Sequence, residues 1–561
     1  MRFAANTPNR SGWFLAGLAC VALKLWLVAA QPVVAVGPAG HDDRLYLELA
    51  NHILRGEWLG PYSQFTLMKG PMYPLWIVAT LLLGVPLPLS QHLLYLAGCI
   101  LVVRALQPHV GSGWRSFLLF AVLWWNPMTY ELPVLGRAIR QNLYTPTTLL
   151  FFAALIALET RRSAAWRTRL RWGLLLGVSG AVLWLTREET IWTAPSALLL
   201  AGAAAWASWR AGDKLRSLVG PLGVAAASAA LIVGGVCTLN YRYYGWFGTV
   251  EFRAPQFIAA FGALQRVIPT HELPYVPVTR EAREMLYPVS PAFAELKPYL
   301  EGRIGVNWAG ASSPLTGRPK EEREIAGGWF MWALRDAVIA AGYSRDAAGA
   351  LAFYARVAAE VNAACDEARL PAGPRRDTMV PRWHHGHWTR LVRTLPGYAS
   401  YFATFEGFSA HPAPSTGSAS TLRLFNDLVR WPLAPSADAP ELDRPQQQRI
   451  DAWRIAVLDT VGGLLCRLDA CLVALGLAGW FCLAVVRVRQ RRFDYLFLVG
   501  TALLGACAAV VAINFLVHLL SFSNQGPGAF AQAYPLILVF AAIVVIDLIG
   551  TRPSRLPDSA P

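Results

Sequence analysis

Charge is scarce in this chain. Only 15% of its 561 residues are Asp, Glu, Lys or Arg, where soluble domains carry about 25%. That excludes a disordered chain and an ordinary cytosolic enzyme. Lysine is scarcer still: Lys24, Lys69, Lys214, Lys297 and Lys320 are the only five, so the net charge of +15 is an arginine charge. The eight cysteines lie mostly within apolar segments and none forms a Cys-x-x-Cys pair, so neither a disulfide framework nor a zinc site is indicated. The chain has no P-loop and no dinucleotide fingerprint, which disfavours an ATP-driven transporter.

What the chain has is apolar length. Hydrophobic residues make up 55%, there are 22 Trp, and the mean hydropathy is +0.37. Apolar runs occur at 13–36, 72–87, 90–106, 114–127, 143–158, 172–186, 190–208, 217–239, 457–486, 494–517 and 529–549. The longer ones can cross a hydrocarbon core of roughly 30 Å. The first run could be read as a signal peptide, with Arg2 and Arg10 before it and Val28-Ala29-Ala30 as a cleavage site. Lys24 interrupts it and many spans follow, so a retained first helix is expected.

Basic residues cluster in short loops, which sets orientation rather than nucleic-acid binding. Arg161, Arg162, Arg167, Arg169 and Arg171 fill one loop; Arg210, Lys214 and Arg216 fill another; Arg487, Arg489, Arg491 and Arg492 fill a third; and the tail carries Arg552 and Arg555. These are expected to be cytoplasmic. The two termini then lie inside, provided that the proline-bracketed run at 72–87 is a re-entrant or interfacial helix. The expected fold is an all-α polytopic transmembrane bundle of about ten spans plus that short helix, in the plasma membrane of a bacterium. Three regions follow: an N-terminal membrane module at 1–239, a mainly helical extracytoplasmic domain at 240–455, and a C-terminal membrane module at 456–561.

The outer loops hold the residues that could do chemistry. His41-Asp42-Asp43 opens a helical pattern in which Tyr46, Leu49, Ala50, Ile53 and Leu54 share one face, as in a helix lying at a membrane surface. The two acids could simply cap that helix. Lys69 follows in Met68-Lys69-Gly70-Pro71; it could hold a phosphate or only snorkel to headgroups. The second outer loop carries Asn126-Pro127, Glu131, Arg137 and Arg140, and the third reads Thr186-Arg187-Glu188-Glu189. An Arg-Glu pair between spans is either a local ion pair or functional. His518, Asn524, Gln525 and Tyr534 flank the last outer loop. His384-His385-Gly386-His387 could bind a metal but reads more simply as a solvated segment.

This set of motifs resembles the GT-C glycosyltransferases, in particular the protein O-mannosyltransferases and the lipid A aminoarabinose transferases. The resemblance covers roughly residues 10–240. It departs where the family's His-x-Pro-Pro segment is here Lys69-Gly70-Pro71. The resemblance implies a polyprenyl-phosphate sugar donor, a lipid, glycan or protein acceptor, and Asp42 or Asp43 as general base with Glu131 as a further acid. Lys69, Arg187, Arg137 and Arg140 are the candidates for the donor phosphate; His41, Tyr46, Glu188 and His518 are candidates for the cavity wall. A divalent metal could sit among Asp42, Asp43 and Glu131, although a cationic clamp makes one unnecessary. The rival readings are a transporter or flippase for lipid-linked sugars, and a non-enzymatic envelope protein.

Overall fold

The computed structural model describes residues 10–111, 113–187, 189–212, 216–383, 385–437, 445–491 and 493–550. Glu188, His384, Lys214, Arg492, Arg552 and Arg555 lie outside the described residues. The described chain is helical. The N-terminal part comprises α1 (Arg10–Val28), α2 (Asp43–Leu54), α3 (Met72–Leu82), α4 (Leu87–Val110), α5 (Trp114–Trp124), α6 (Gln141–Thr160), α7 (Trp166–Thr186), α8 (Ala194–Arg210) and α9 (Arg216–Tyr244). The middle part holds α10 (Pro255–Leu264), α11 (Arg280–Leu286), α12 (Pro291–Ala294), α13 (Lys297–Leu300), α14 (Arg303–Thr316), α15 (Gly327–Ala340), α16 (Ala347–Asp366), α17 (His385–Ala403) and α18 (Ala419–Val429). The chain closes with α19 (Pro445–Gln490), α20 (Tyr495–Leu520), α21 (Pro527–Phe530) and α22 (Tyr534–Gly550).

Among the described residues, six helices are long and apolar enough to cross a membrane: α4, α6, α8 with the turn before it, α9, α19 and α20. About ten spans were expected. The first run forms α1 of 19 residues and the last forms α22 of 17. The 21-residue α7 has the length, but Arg167, Arg169 and Arg171 in its first turns lower its hydropathy. The run at 114–127 yields only the 11-residue α5, about 16 Å of helix. The run at 72–87 likewise yields an 11-residue helix, α3, short of a bilayer, as a re-entrant or interfacial element requires.

The bundle is held by close backbone approaches. α4 packs along α6, α7 along α9, and α22 against both α19 and α20. On α7, a Cβ added at Gly173 would lie 2.2 Å from the Pro221 carbonyl oxygen, and one at Gly177 would lie 2.1 Å from that of Ala225. Gly173-Leu-Leu-Leu-Gly177 is thus a small-residue seam that lets α9 come within backbone contact.

The helix after the first span is less exposed than its pattern suggests. α2 buries Leu45 and Leu49 in the core of the middle part, with Phe257, Phe330 and Trp332. Its Tyr46, Leu47 and Ala50 pack instead with Tyr73 and Ile77 of α3 and Phe425 of α18. A 12-residue helix roofed by one unit and floored by another buries two faces, so it is not a surface helix with one face free.

One buried ion pair joins the first outer loop to this roof. Arg335 of α15 and Glu251 are both fully buried and paired. The Arg335 guanidinium also donates to the carbonyls of Gln64 at 3.2 Å, Ser63 at 2.9 Å and Thr66 at 3.0 Å. Tyr62 Oη donates to Glu251 at 2.8 Å, and the Glu251 N–H donates to the Leu67 carbonyl at 2.8 Å. Every donor of the guanidinium is used, which is what makes a buried charge tolerable.

Breaking that pair from one side leaves a buried charge uncompensated. Arg335→Met or Glu251→Leu alone is expected to cost about 3–5 kcal/mol of stability, read by denaturation of the purified protein, and to expose 62–67 to protease. The double substitution should cost less than the sum of the two. Strictly additive losses would show that the pair is not the tie.

Candidate functional site

Three short segments meet where α1 and α7 end and α6 begins. The stretch after α1 is clamped by main-chain bonds: Val33 N–H to Pro432 O at 2.9 Å, Gly37 N–H to Thr416 O at 2.8 Å, and Val34 N–H to Gly136 O at 3.1 Å. The last of these sets Arg137 opposite the start of α2. From the other side, Gly70 lies against the end of α7, where an added Cβ would stand 1.8 Å from the Leu185 carbonyl oxygen. Glycine is required by that approach, and it brings the backbone next to Lys69 against the end of α7.

The two adjacent carboxylates have opposite surroundings. Asp43 is fully buried and receives a fork from Arg137, Nε at 3.0 Å and Nη2 at 2.6 Å. Burial raises its pKa against the pull of Arg137. Asp42 makes no side-chain bond to the helix it precedes, so helix capping does not account for it. Its carboxylate pairs with the Lys69 ammonium, and its side chain is 55% exposed where that of Lys69 is 11% exposed. The crowding around Asp42 would by itself raise its pKa. Lys69, Arg140 and Arg137 together outweigh that and hold the carboxyl below the ordinary carboxylate range. Of the pair, only Asp42 is open to a reactant.

The cations around Asp42 come from two segments, Lys69 from one and Arg137 and Arg140 from the other. Lys69 Nζ also lies 5.2 Å from the centre of the Tyr46 ring, a cation–π distance, so it is seated in the site and not extended toward headgroups. The Tyr46 ring packs edge-on against Tyr73 at 5.2 Å. Arg140 donates to the Thr186 carbonyl at 3.1 Å. Arg187 Nε donates to Glu189 at 2.7 Å, so among the described residues its carboxylate partner is Glu189. The Arg187 Nη1 is buried with no hydrogen-bond partner among the described residues. Burial would raise the Glu189 pKa, but Arg187 and Arg140 bring it down to about 2. Glu189 therefore stays ionised and offsets one of the guanidiniums.

His41 is set in an aromatic cage, 5.1 Å from Phe65, 4.9 Å from Trp308 and 4.5 Å from Trp332, ring centre to ring centre. Burial, and then the nearby Lys69, lower its pKa to about 4 against the opposing Asp42. The imidazole is neutral at physiological pH, and its Nε2 is buried without a partner. Trp308 and Trp332 belong to α14 and α15. No local pattern places them beside His41, because the contacts are made across 267 and 291 residues of chain.

Two expected members stand apart. Glu131 is buried and accepts the backbone N–H groups of Val134 at 3.1 Å and Leu135 at 2.7 Å. Burial lifts its pKa to about 7 despite those bonds. It lines a neighbouring cleft with Gln31, Asn126 and Arg137 and serves as a loop cap there. His518 accepts from the Asn524 N–H at 3.2 Å and lies against Tyr398 and Phe515, contacts that tie it to α17 and not to Asp42. Among the described residues no group of three His, Cys, Asp or Glu is arranged to hold a metal. Asp43 is engaged by Arg137 and Glu131 by backbone amides, so Asp42, Asp43 and Glu131 do not form a ligand set. Of the histidine run, His385 opens α17.

No family model and no curated protein matches the chain. Among solved structures it is similar to ArnT from Cupriavidus metallidurans in the apo state, at 14% identity and a TM-score of 0.33, over 96% of this chain and 77% of that one. ArnT is a lipid A aminoarabinose transferase.

Proposed function

We propose that this helical membrane protein is a glycosyltransferase of the GT-C type. It moves a sugar from a polyprenyl-phosphate donor to an acceptor hydroxyl on the outer side of the membrane, with Asp42 as general base. The observation that carries this reading is the accessible Asp42 carboxylate ringed by Lys69, Arg140 and Arg137. A base beside a cluster of cations suits a reaction that takes a proton from one reactant and leaves negative charge on the other.

In this reading the acceptor oxygen attacks the anomeric carbon of the sugar and its proton passes to Asp42. The bond from the anomeric carbon to the phosphate oxygen breaks, and the polyprenyl phosphate leaves with the electron pair. Lys69, Arg140 and Arg187 stabilise the charge that grows on the leaving phosphate. Asp43 and Arg137 act by holding the start of α2 in place. A carboxylate paired to an ammonium is a weak base, and the donor resolves this. Its phosphate competes for Lys69, and as Lys69 turns to it Asp42 becomes more basic. The acceptor class, whether lipid, glycan or protein, is set elsewhere.

Asp42→Asn is expected to leave the protein folded and to lower kcat by about 10²-fold or more, the scale of a lost general base. Asp43→Asn should act first on stability, by about 3–5 kcal/mol, because it strands the Arg137 guanidinium. Transfer from a polyprenyl-phosphate sugar, alongside a melting curve, measures both. Undiminished transfer by Asp42→Asn would end the proposed role.

The acid side of the pH profile tests the coupling to Lys69. Asp42 works when ionised and its pKa is held low, so activity is retained above the ordinary carboxylate range and falls only as pH drops through that lowered value. Lys69→Ala removes the strongest of the lowering charges and leaves the effect of burial. The acid limb of kcat/KM should then move to higher pH. An unmoved limb would separate Lys69 from the base.

A further inference from the structure

A second polar cavity lies away from Asp42, where the 265–282 segment meets the start of α17 and the end of α20. It has a volume of about 330 Å³, and its walls include Gln265, Glu272, Tyr275, Arg382 and Arg390. Three features set it apart from an ordinary surface hollow.

The first is an unused cation. Arg390 stacks on the Tyr275 ring, 4.5 Å from its centre, and has no carboxylate partner among the described residues. Its partial burial lowers its pKa with no acid to oppose it. The cavity's acid, Glu272, acts on Arg382, whose guanidinium also donates to the Val267 carbonyl at 3.2 Å. Arg390 is therefore the charge left facing the cavity.

The second is an unused acceptor. Gln265 is 2% exposed. Its Nε2 donates to the Met379 carbonyl at 3.2 Å, which fixes the amide orientation, and its Oε1 is buried with no partner. A buried carbonyl oxygen without a donor is destabilising, and a ligand hydroxyl would remove that cost.

The third is a strained wall. Tyr275 sits at φ +66°, a conformation that bulky side chains avoid and that tends to mark functional positions. Its carbonyl accepts the Gly327 N–H at 2.8 Å, and Pro274 and Pro277 flank it. The wall is stiff before any ligand arrives.

We propose that this cavity binds a hydroxylated phosphate ester, the anion on Arg390 and a hydroxyl on Gln265 Oε1. Two sources share that chemistry: a glycerophospholipid headgroup and a free sugar or glycerol phosphate. Position favours the lipid. Leu520, the last residue of the membrane-length α20, lines the cavity. Beside it Trp383 and Trp388 pack at 5.0 Å and are exposed, the residue type that settles at a bilayer interface. The proposal is independent of the glycosyl-transfer reading, since none of these residues lies at Asp42.

The test uses the full chain, purified and delipidated in detergent, titrated with glycerol 3-phosphate and with inorganic phosphate. The glycerol ester should bind more tightly than phosphate. Arg390→Gln should weaken both at least tenfold. Gln265→Leu should abolish the preference for the ester while sparing phosphate; should that variant fail to fold, Gln265→Glu keeps the size and should repel both ligands. The source is read by native mass spectrometry from nanodiscs. Phosphatidylglycerol kept by the wild type and lost by Arg390→Gln, with phosphatidylcholine kept by neither, identifies the lipid. Binding of the soluble ester with no retained lipid identifies the free ester. Failure of both probes to bind, or equal binding by wild type and Arg390→Gln, overturns the proposal, whatever the transferase activity of the protein.

Discussion

The buried pair of Arg335 and Glu251 is the constraint on which the outer half of this protein depends. Both side chains are fully buried, so neither charge is tolerable without the other. The guanidinium uses its remaining donors on the backbone of residues 63–66. That ties the first outer loop to α15 of the middle part, and it fixes what lies on both sides of the loop. Upstream, His41 enters the cage made with Trp308 and Trp332. Downstream, Lys69 and Gly70 are delivered against the end of α7.

From that constraint comes the asymmetry between Asp42 and Asp43. One residue of difference at the start of α2 turns one carboxylate into the fork of Arg137 and the other toward Lys69 and open solvent. The first is a structural counter-ion. The second is the group proposed to exchange protons. The same arrangement gives the proposed donor phosphate several positive partners, with Glu189 holding down the excess charge of Arg187 and Arg140.

Much of this was legible in the chain before folding. Long apolar runs, the short proline-bracketed run at 72–87, and the concentration of acids and cations in the loops between runs followed from composition and spacing, because hydropathy and helix length are local properties. The seam at Gly173 and Gly177 is written in the chain as Gly-Leu-Leu-Leu-Gly, but only the packing of α7 on α9 shows that it is used. Glu251 and Arg335 could not be found that way. They are 84 residues apart, and each by itself reads as one more charge in a mixed helical region.

The sequence alone determined the class of the molecule: an apolar helical chain whose reactive residues are confined to the loops between spans. That follows because a bilayer rejects unpaired charge and broken backbone, so the permitted places for chemistry can be counted along the chain. Tertiary structure decided which of those residues meet. It separated Asp42 from Asp43, gave Arg187 to Glu189, drew Glu131 into capping a loop, and sent His518 to α17. The partners of Asp42, Asp43 and His518 come from distant segments, while Arg187 and Glu131 take theirs from two to four residues away; in every case desolvation by the folded surroundings makes the choice binding, and that is not a property of the neighbouring residues in the chain.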